Sequence, residues 1–283
     1  MKKITFALFL ACLLACSTPL FAADSGQPAA LQTVVQTVSG EFSRIDGALQ
    51  EAARKIGASG LTGDDARSAL AELCGKFTFA VDCTAVDARG KMVTVEPPAY
   101  RDVEGTDIGD QAQVRKIIKT KKPVLSSVFR AVEGFDAADV EYPVLDQKGR
   151  YIGSVSLLFK TEVFFTQLLE TLLAGIAMDV CVMEKNGRVI YDPDETQIGH
   201  NLFRSPIYKP YGELLKLGKR MASEKEGSGS YRYKVRGENR TARKQAYWKS
   251  AALYGTEWRI VGIQVEPAAP GKKSGPSAAT AKP

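Results

Sequence analysis

The sequence predicts an α+β fold: a long leading helix followed by two successive antiparallel units of five strands, each unit with helices on one face. Three observations predict it. Across residues 31–56 apolar side chains recur in alternating steps of three and four, the period of one helical stripe. Beyond residue 76, strand-like runs are separated by turn signals such as Arg89-Gly90, Asp146-Gln147-Lys148-Gly149 and Lys185-Asn186-Gly187. The second half also repeats the first. Asp87-Ala88-Arg89-Gly90-Lys91-Met92-Val93 parallels Glu184-Lys185-Asn186-Gly187-Arg188-Val189-Ile190, and Thr106-Asp107-Ile108-Gly109 parallels Thr196-Gln197-Ile198-Gly199.

The elements follow in chain order. Lys2 and Lys3 precede an apolar run, residues 4–14, which suits a signal-peptide core and is too short to span a bilayer. Residues 1–22 are therefore expected to be a signal peptide with two alternative exits. Leu13-Leu14-Ala15-Cys16 resembles a lipobox that would lipidate Cys16, whereas Leu20-Phe21-Ala22 resembles a small-residue cleavage site that would release a soluble periplasmic protein. The stripe of the long helix is Leu31, Val34/Val35, Val38, Phe42, Ile45, Leu49, Ala52 and Ile56. A helix over 31–56 is about 39 Å long. It either pairs with a second copy as a homodimer or lies along more than one domain of its own chain. Residues 57–63 break it, and Asp64-Asp65 opens a shorter helix ending near Cys74-Gly75.

Strands are predicted at 77–86, 91–96, 124–130, 140–145 and 151–159, with a helix at 111–120 and another at 163–173. The second set is 178–184 and 188–191, a helix at 211–222, then 229–235, 243–249 and 258–265. The expected organisation is long helix plus first module over 31–160, second module over 161–266, and a disordered tail over 267–283 whose Pro, Ala, Gly and Lys cannot bury a core. The most apolar stretch, 163–183, is interrupted by Glu170 and Asp179 and is not expected to span a membrane.

Composition excludes several classes. The 283 residues carry a net charge of +6, but Lys2, Lys3, Lys272, Lys273 and Lys282 lie in leader or tail, so the folded part lacks the dense basic stripe of a nucleic-acid protein. One histidine, His200, argues against multi-histidine metal sites, and no metal or cofactor is expected. Nucleophile-elbow, Walker, dinucleotide and Cys-x-x-Cys motifs are missing, which argues against an enzyme. Export permits a disulfide between Cys74 and Cys83, the alternative being two free buried thiols; Cys181 reads as a core thiol.

Val189-Ile190-Tyr191-Asp192-Pro193-Asp194, Gln197-Ile198-Gly199-His200-Asn201-Leu202-Phe203, Gly255-Thr256-Glu257-Trp258-Arg259-Ile260-Val261 and the run from Tyr142-Pro143-Val144-Leu145 to Tyr151-Ile152-Gly153 together resemble the double Cache (dCache) family of bacterial extracytoplasmic sensor domains, relatives of the PAS fold. The resemblance covers roughly residues 31–266. It implies two tandem PAS-like modules strung along the long helix, with small ligands bound by the membrane-distal one. Members normally sit between two membrane spans and feed a chemoreceptor, kinase or cyclase. Here the sequence after Glu266 reads as a tail, so a signal is expected to pass to a separate membrane receptor or kinase.

The candidate site lies in the first unit, between its sheet and the loop inserted after its second strand. Arg101 would clamp a carboxylate of an organic acid or amino acid. Tyr100, Phe129 and Tyr142 would wall the apolar part. Ser126 or Ser127 would orient the ligand, Ser127 sharing a face with Phe129. The plainer readings are a solvated charge for Arg101 and core packing for Phe129 and Tyr142. The second unit offers Tyr191, Asp192, Asn201, Tyr208 and Tyr211. Asp192-Pro193-Asp194-Glu195 lacks calcium-loop spacing and reads as a solvated turn, His200 as a surface or capping residue, and Trp248 and Trp258 as core. The function expected is non-covalent small-molecule recognition by an exported sensor or capture protein. The alternatives are an accessory lipoprotein that pairs through its helix and, more remotely, a hydrolase.

Overall fold

The computed structural model describes residues 28–266. The leader with Cys16 and the 267–283 tail lie outside the described residues. The first sheet comprises β1 (Ala80–Asp87), β2 (Met92–Glu96), β3 (Val124–Leu125), β4 (Phe129–Arg130), β5 (Asp136–Leu145) and β6 (Tyr151–Phe159), in the order β2-β1-β6-β5-β3 with β4 also on β5. The second comprises β7 (Asp179–Glu184), β8 (Val189–Tyr191), β9 (Gly227–Lys234), β10 (Thr241–Leu253) and β11 (Thr256–Val265), in the order β8-β7-β11-β10-β9. Both are antiparallel throughout. With β3 and β4 sharing one position, the two orders coincide, which is the structural form of the repeat read in the sequence. Gly90 and Gly187 occupy equivalent hairpin turns at φ 94° and 91°, a region that favours glycine.

The helix α1 (Ala29–Ser59) extends a little past both predicted ends. Leu31, Val34, Val38, Phe42, Ile45, Leu49, Ala52 and Ile56 are all buried. They pack against both sheets, beside α2 (Asp64–Gly75) and α4 (Thr161–Leu169). Of the two roles expected for this helix, lying along both units is the one observed. The stripe a coiled-coil homodimer would need is covered by the chain itself. Gly57 sits where α1 meets the end of β5; a methyl group there would collide with the Leu145 carbonyl.

Strand alternation gives each sheet a helix face and a loop face. Val140, Val155 and Leu157 of the first sheet and Val180, Val182 and Ile260 of the second share one continuous core on α1. Between the sheets that core is aromatic: Phe42 lies 5.3 Å from Trp258, and Phe164 lies 5.0 Å from both Phe79 and Phe165. The loop faces carry separate clusters, one under α3 (Ala112–Thr120) and one under α5 (Gly212–Ser223). Cys74, at the end of α2, and Cys83, in β1, form a disulfide with Cα atoms 5.7 Å apart.

The strand expected over 124–130 is broken, so the first sheet has six segments rather than five. Ser126 N donates to the Asp139 carbonyl at 2.9 Å, and its hydroxyl accepts from Asp139 N at 2.8 Å, ending β3. The chain then turns to the second module. Val128 N donates to Glu184 Oε1 at 2.8 Å, and the Val128 carbonyl accepts from Arg188 Nη1 at 3.3 Å. Arg188 also pairs with Asp136 at 2.6 Å, and Thr256 Oγ1 donates to the Leu125 carbonyl at 2.7 Å. The break is where the β7–β8 hairpin clasps the first sheet.

Candidate functional site

The residues expected to form a site in the first module are not gathered around one cavity. Arg101 stands in the short helical turn Pro98–Val103, and its Nη2 donates to the buried Glu96 carboxylate at 2.5 Å. Tyr100 packs against the cluster of Val86, Met92, Val95, Ile108 and Val114. Ser126 is buried and consumed by Asp139, Ser127 is exposed, and Tyr142 packs against the α1 core. Phe129 alone borders a space over the loop face of the sheet, and that space is only about 20 Å³, enough for one water-sized particle. Arg101, held by a buried carboxylate, is not a free carboxylate clamp.

The floor of that small space is acidic. Alternation on β1, β5 and β6 turns Asp82, Thr84, Asp139, Glu141, Ser154 and Ser156 to the loop face, all buried. Thr84 donates to Asp82 at 3.1 Å and Ser154 donates to Glu141 at 3.2 Å. Asp82 Oδ2, Asp139 Oδ1 and Glu141 Oε1 have no partner among the described residues. Burial, reinforced by the neighbouring carboxylates, pushes Asp82 and Asp139 well above the usual range, and burial pushes Glu141 up to about 7. These carboxyls hold protons where free ones would not.

A ligand-sized cavity of about 640 Å³ lies in the second module, between the loop face of its sheet and α5; a wider surface groove of about 1120 Å³ runs beside α4, along Glu162, Leu169, Met178 and Tyr191. Strand register builds the floor of the cavity. Asp179, Cys181 and Met183 on β7, Val261 and Ile263 on β11, Lys244 on β10, and Tyr231 and Tyr233 on β9 all face away from α1. Farther along, Gly227 lies under the Trp248 indole and Gly229 under Leu217, so α5 seats closely there and leaves the other end of the sheet open. Leu214 and Met221 of α5 form the roof with Tyr208 and Tyr211. Tyr211 meets Tyr233 edge-on at 4.6 Å, and Tyr233 donates to Gln197 Oε1 at 2.9 Å.

Charge inside the cavity comes from Asp179, Asp192, Asp194 and Lys244, while Lys234, Arg236, Glu238 and Arg240 stand exposed at its rim. Asp179 pairs with Arg236 at 3.1 Å. Asp194 accepts from the Thr196 amide and hydroxyl and from Gln197. Asp192 accepts from the Asp194 amide at 2.8 Å; burial, and then the Asp194 and Asp179 charges, push its carboxyl up to about 6. Burial raises the Cys181 thiol and lowers the Lys244 ammonium. Cys181, expected in the core, is part of the cavity wall. Among the described residues no group of three His, Cys, Asp or Glu side chains is disposed to hold a metal ion.

Of the second-unit candidates, Asp192, Tyr208 and Tyr211 line this cavity. Tyr191 stacks on Phe165 at 5.4 Å, and Asn201 ties its loop to the Asn186 carbonyl at 2.9 Å. His200 Nδ1 lies 3.2 Å from Ser205 Oγ within the same loop. Lys244, Tyr231 and Tyr233 were not singled out by sequence, although Tyr-x-Tyr and Lys-x-Ala-x-Trp are each a one-face strand pattern.

The family model described as HK/GC/chemotaxis protein-like, sensor domain, matches residues 40–161. No curated protein sequence matches the chain. An extracellular ligand binding receptor from Desulfohalobium retbaense is similar at 32% identity and TM-score 0.71 over 83% of this chain, which spans 39% of that receptor chain. The ligand binding domain of the Pseudomonas aeruginosa amino acid chemoreceptor PctB, in complex with L-Gln, shares the fold at 14% identity and TM-score 0.59, covering 84% of this chain and 88% of that one. The periplasmic sensory domain of the Campylobacter jejuni chemoreceptor Tlp1 does so at 14% identity and TM-score 0.57, covering 83% and 92%. Among the described residues no helix is long and apolar enough to cross a membrane.

Proposed function

We propose that this chain, which shares its fold with chemoreceptor ligand-binding domains, is an exported double Cache receptor module that binds a small molecule non-covalently in its second module and passes the signal to a separate partner. One observation carries the placement: the 640 Å³ cavity under α5 is ligand-sized, whereas the corresponding space of the first module is about 20 Å³. The walls suit recognition rather than catalysis. Four tyrosines and the apolar side chains of Met183, Leu214, Met221 and Val261 surround a few charged groups.

A thermal-shift screen of organic acids and amino acids tests the reading, since a compound that binds only the native state raises the midpoint by mass action. Met221→Trp, which fills the cavity, is expected to abolish the shift, while Arg101→Ala leaves it within about a factor of two. A shift that survives Met221→Trp and disappears in Asp139→Asn moves the site to the first module.

The first module supports a second reading. Asp82 Oδ2 and Asp139 Oδ1 are buried without partners beside a space of one particle, and that chemistry suits the ammonium end of an amine rather than a carboxylate. An amine shift lost in Asp139→Asn and kept in Met221→Trp selects it.

A further inference from the structure

We propose that Lys244 is the anion anchor of the second module's cavity and that the ligand is an organic monocarboxylate on an apolar or aromatic body, which rests on the reading of that cavity as the ligand site. Lys244 shares the cavity face of β10 with Ala246 and Trp248 and stands opposite Tyr231 and Val265 in register. It is 7% exposed and lines the cavity. Its Nζ has no hydrogen-bond or ion-pair partner among the described residues; the nearest aromatic face, Tyr233, has its centroid 5.7 Å away. The two carboxylates whose charges reach it, Asp179 and Asp192, do not pair with it: Asp179 is engaged by Arg236, and Asp192 accepts from the Asp194 amide. A buried ammonium without a counterion is costly, and an entering carboxylate supplies the missing charge.

The same surroundings limit the anion to a single charge. Asp179, Asp192 and Asp194 border the cavity and repel a phosphate dianion; the rim arginines are committed, Arg236 to Asp179 and Arg240 to Glu238, and the buried cation, Lys244, offers a point charge rather than a fork. Tyr208, Tyr231, Met183, Met221 and Val261 leave the remaining volume apolar.

The test is calorimetric titration with matched pairs: benzoate and benzamide, 3-phenylpropanoate and its amide, hexanoate and hexanamide, with inorganic phosphate alongside. At least one carboxylate is expected to bind ten or more times tighter than its amide. Lys244→Met removes that preference and Lys244→Arg keeps part of it. Lys244→Met also raises the melting midpoint of the ligand-free protein, because it deletes an unpaired buried charge; a purely structural lysine would lower it. Amides that bind as tightly as carboxylates overturn the anchor while leaving the cavity as the site. Binding that Met221→Trp does not affect overturns the cavity reading and the anchor with it. A carboxylate series without a single binder, or phosphate as the tightest ligand, also overturns the anchor.

Discussion

Glu141→Gln isolates the cost of the acidic floor in the first module. Glu141 is 0% exposed, and one of its carboxylate oxygens has no partner among the described residues. Its other oxygen accepts from Ser154 at 3.2 Å, a bond a glutamine carbonyl preserves. Burial pushes the folded carboxyl up to about 7 from an ordinary 4.5. Between those values the native state holds a proton that the unfolded chain has released, so stability falls as pH rises through the window and the full cost is present above it. At 1.36 kcal/mol per pH unit the difference is about 3 kcal/mol. Glutamine does not ionise. The stability of Glu141→Gln relative to wild type is therefore expected to be about 3 kcal/mol greater at pH 8 than at pH 4. For a domain of this size that is roughly 6–12 °C in melting midpoint. Asp82 is present in both proteins and cancels; Asp139 titrates with Glu141 as a pair, so the difference reports the dyad. Thermal and urea denaturation at pH 4, 6 and 8 measure it. A gap that stays constant across pH would mean that Glu141 titrates alike in the native and unfolded states, and would refute the burial argument.

Two other perturbations follow from the packing. Replacing Cys74 and Cys83 by serine opens a loop of sequence separation 9 and is expected to cost about 3 kcal/mol by chain entropy; an unchanged urea midpoint in oxidised wild type and variant would show that the crosslink constrains nothing. Glu184→Ala leaves the buried Val128 N–H without its acceptor, a loss of about 2 kcal/mol. Hydrogen exchange at the Val128 amide should accelerate while the α5 amides keep their protection, and uniform acceleration would show that the clasp is not local.

Periodicity made much of the fold legible. The 31–56 stripe reads directly because every third or fourth side chain meets a sheet, and 151–159 coincides with β6 because the Gly149 turn opens it and α4 begins at Thr161. The break after Ser126 was not legible, because its partners Glu184 and Arg188 are 56 and 60 residues from Val128. The site was legible in part. Tyr208, Tyr211 and Asp192 stood out as polar or aromatic residues in loops. Lys244, Tyr231 and Tyr233 alternate on strands, and which parity faces a cavity depends on which face α1 covers. Arg101 illustrates the converse limit: its residue type suits a carboxylate clamp, but Glu96 on the adjoining strand holds it. Both the family resemblance and the inserted loop point to the first module, but residue types carry no measure of cavity volume.

The duplicated fold places chemically opposite groups at corresponding positions. β5 and β10 occupy the same place in their sheets, each between the closing strand and the edge. On β5 the loop face presents Asp139 and Glu141; on β10 it presents Lys244, Ala246 and Trp248. Beside them, β6 contributes Ser154 and Ser156, whereas β11 contributes Val261 and Ile263. A short polar floor with protonated carboxyls rejects anions and lets the Ala131–Gly134 turn close down on it, which matches the small volume of the first module. An apolar floor with one unpaired ammonium, roofed by tyrosines and α5, stays open and favours a singly charged anion. Backbone topology therefore leaves ligand choice to the alternate side chains of two strands. Glu184 and Arg188 join the two sheets through Val128 and Asp136, so the modules are tied at the backbone of the β3–β4 break and not at either floor.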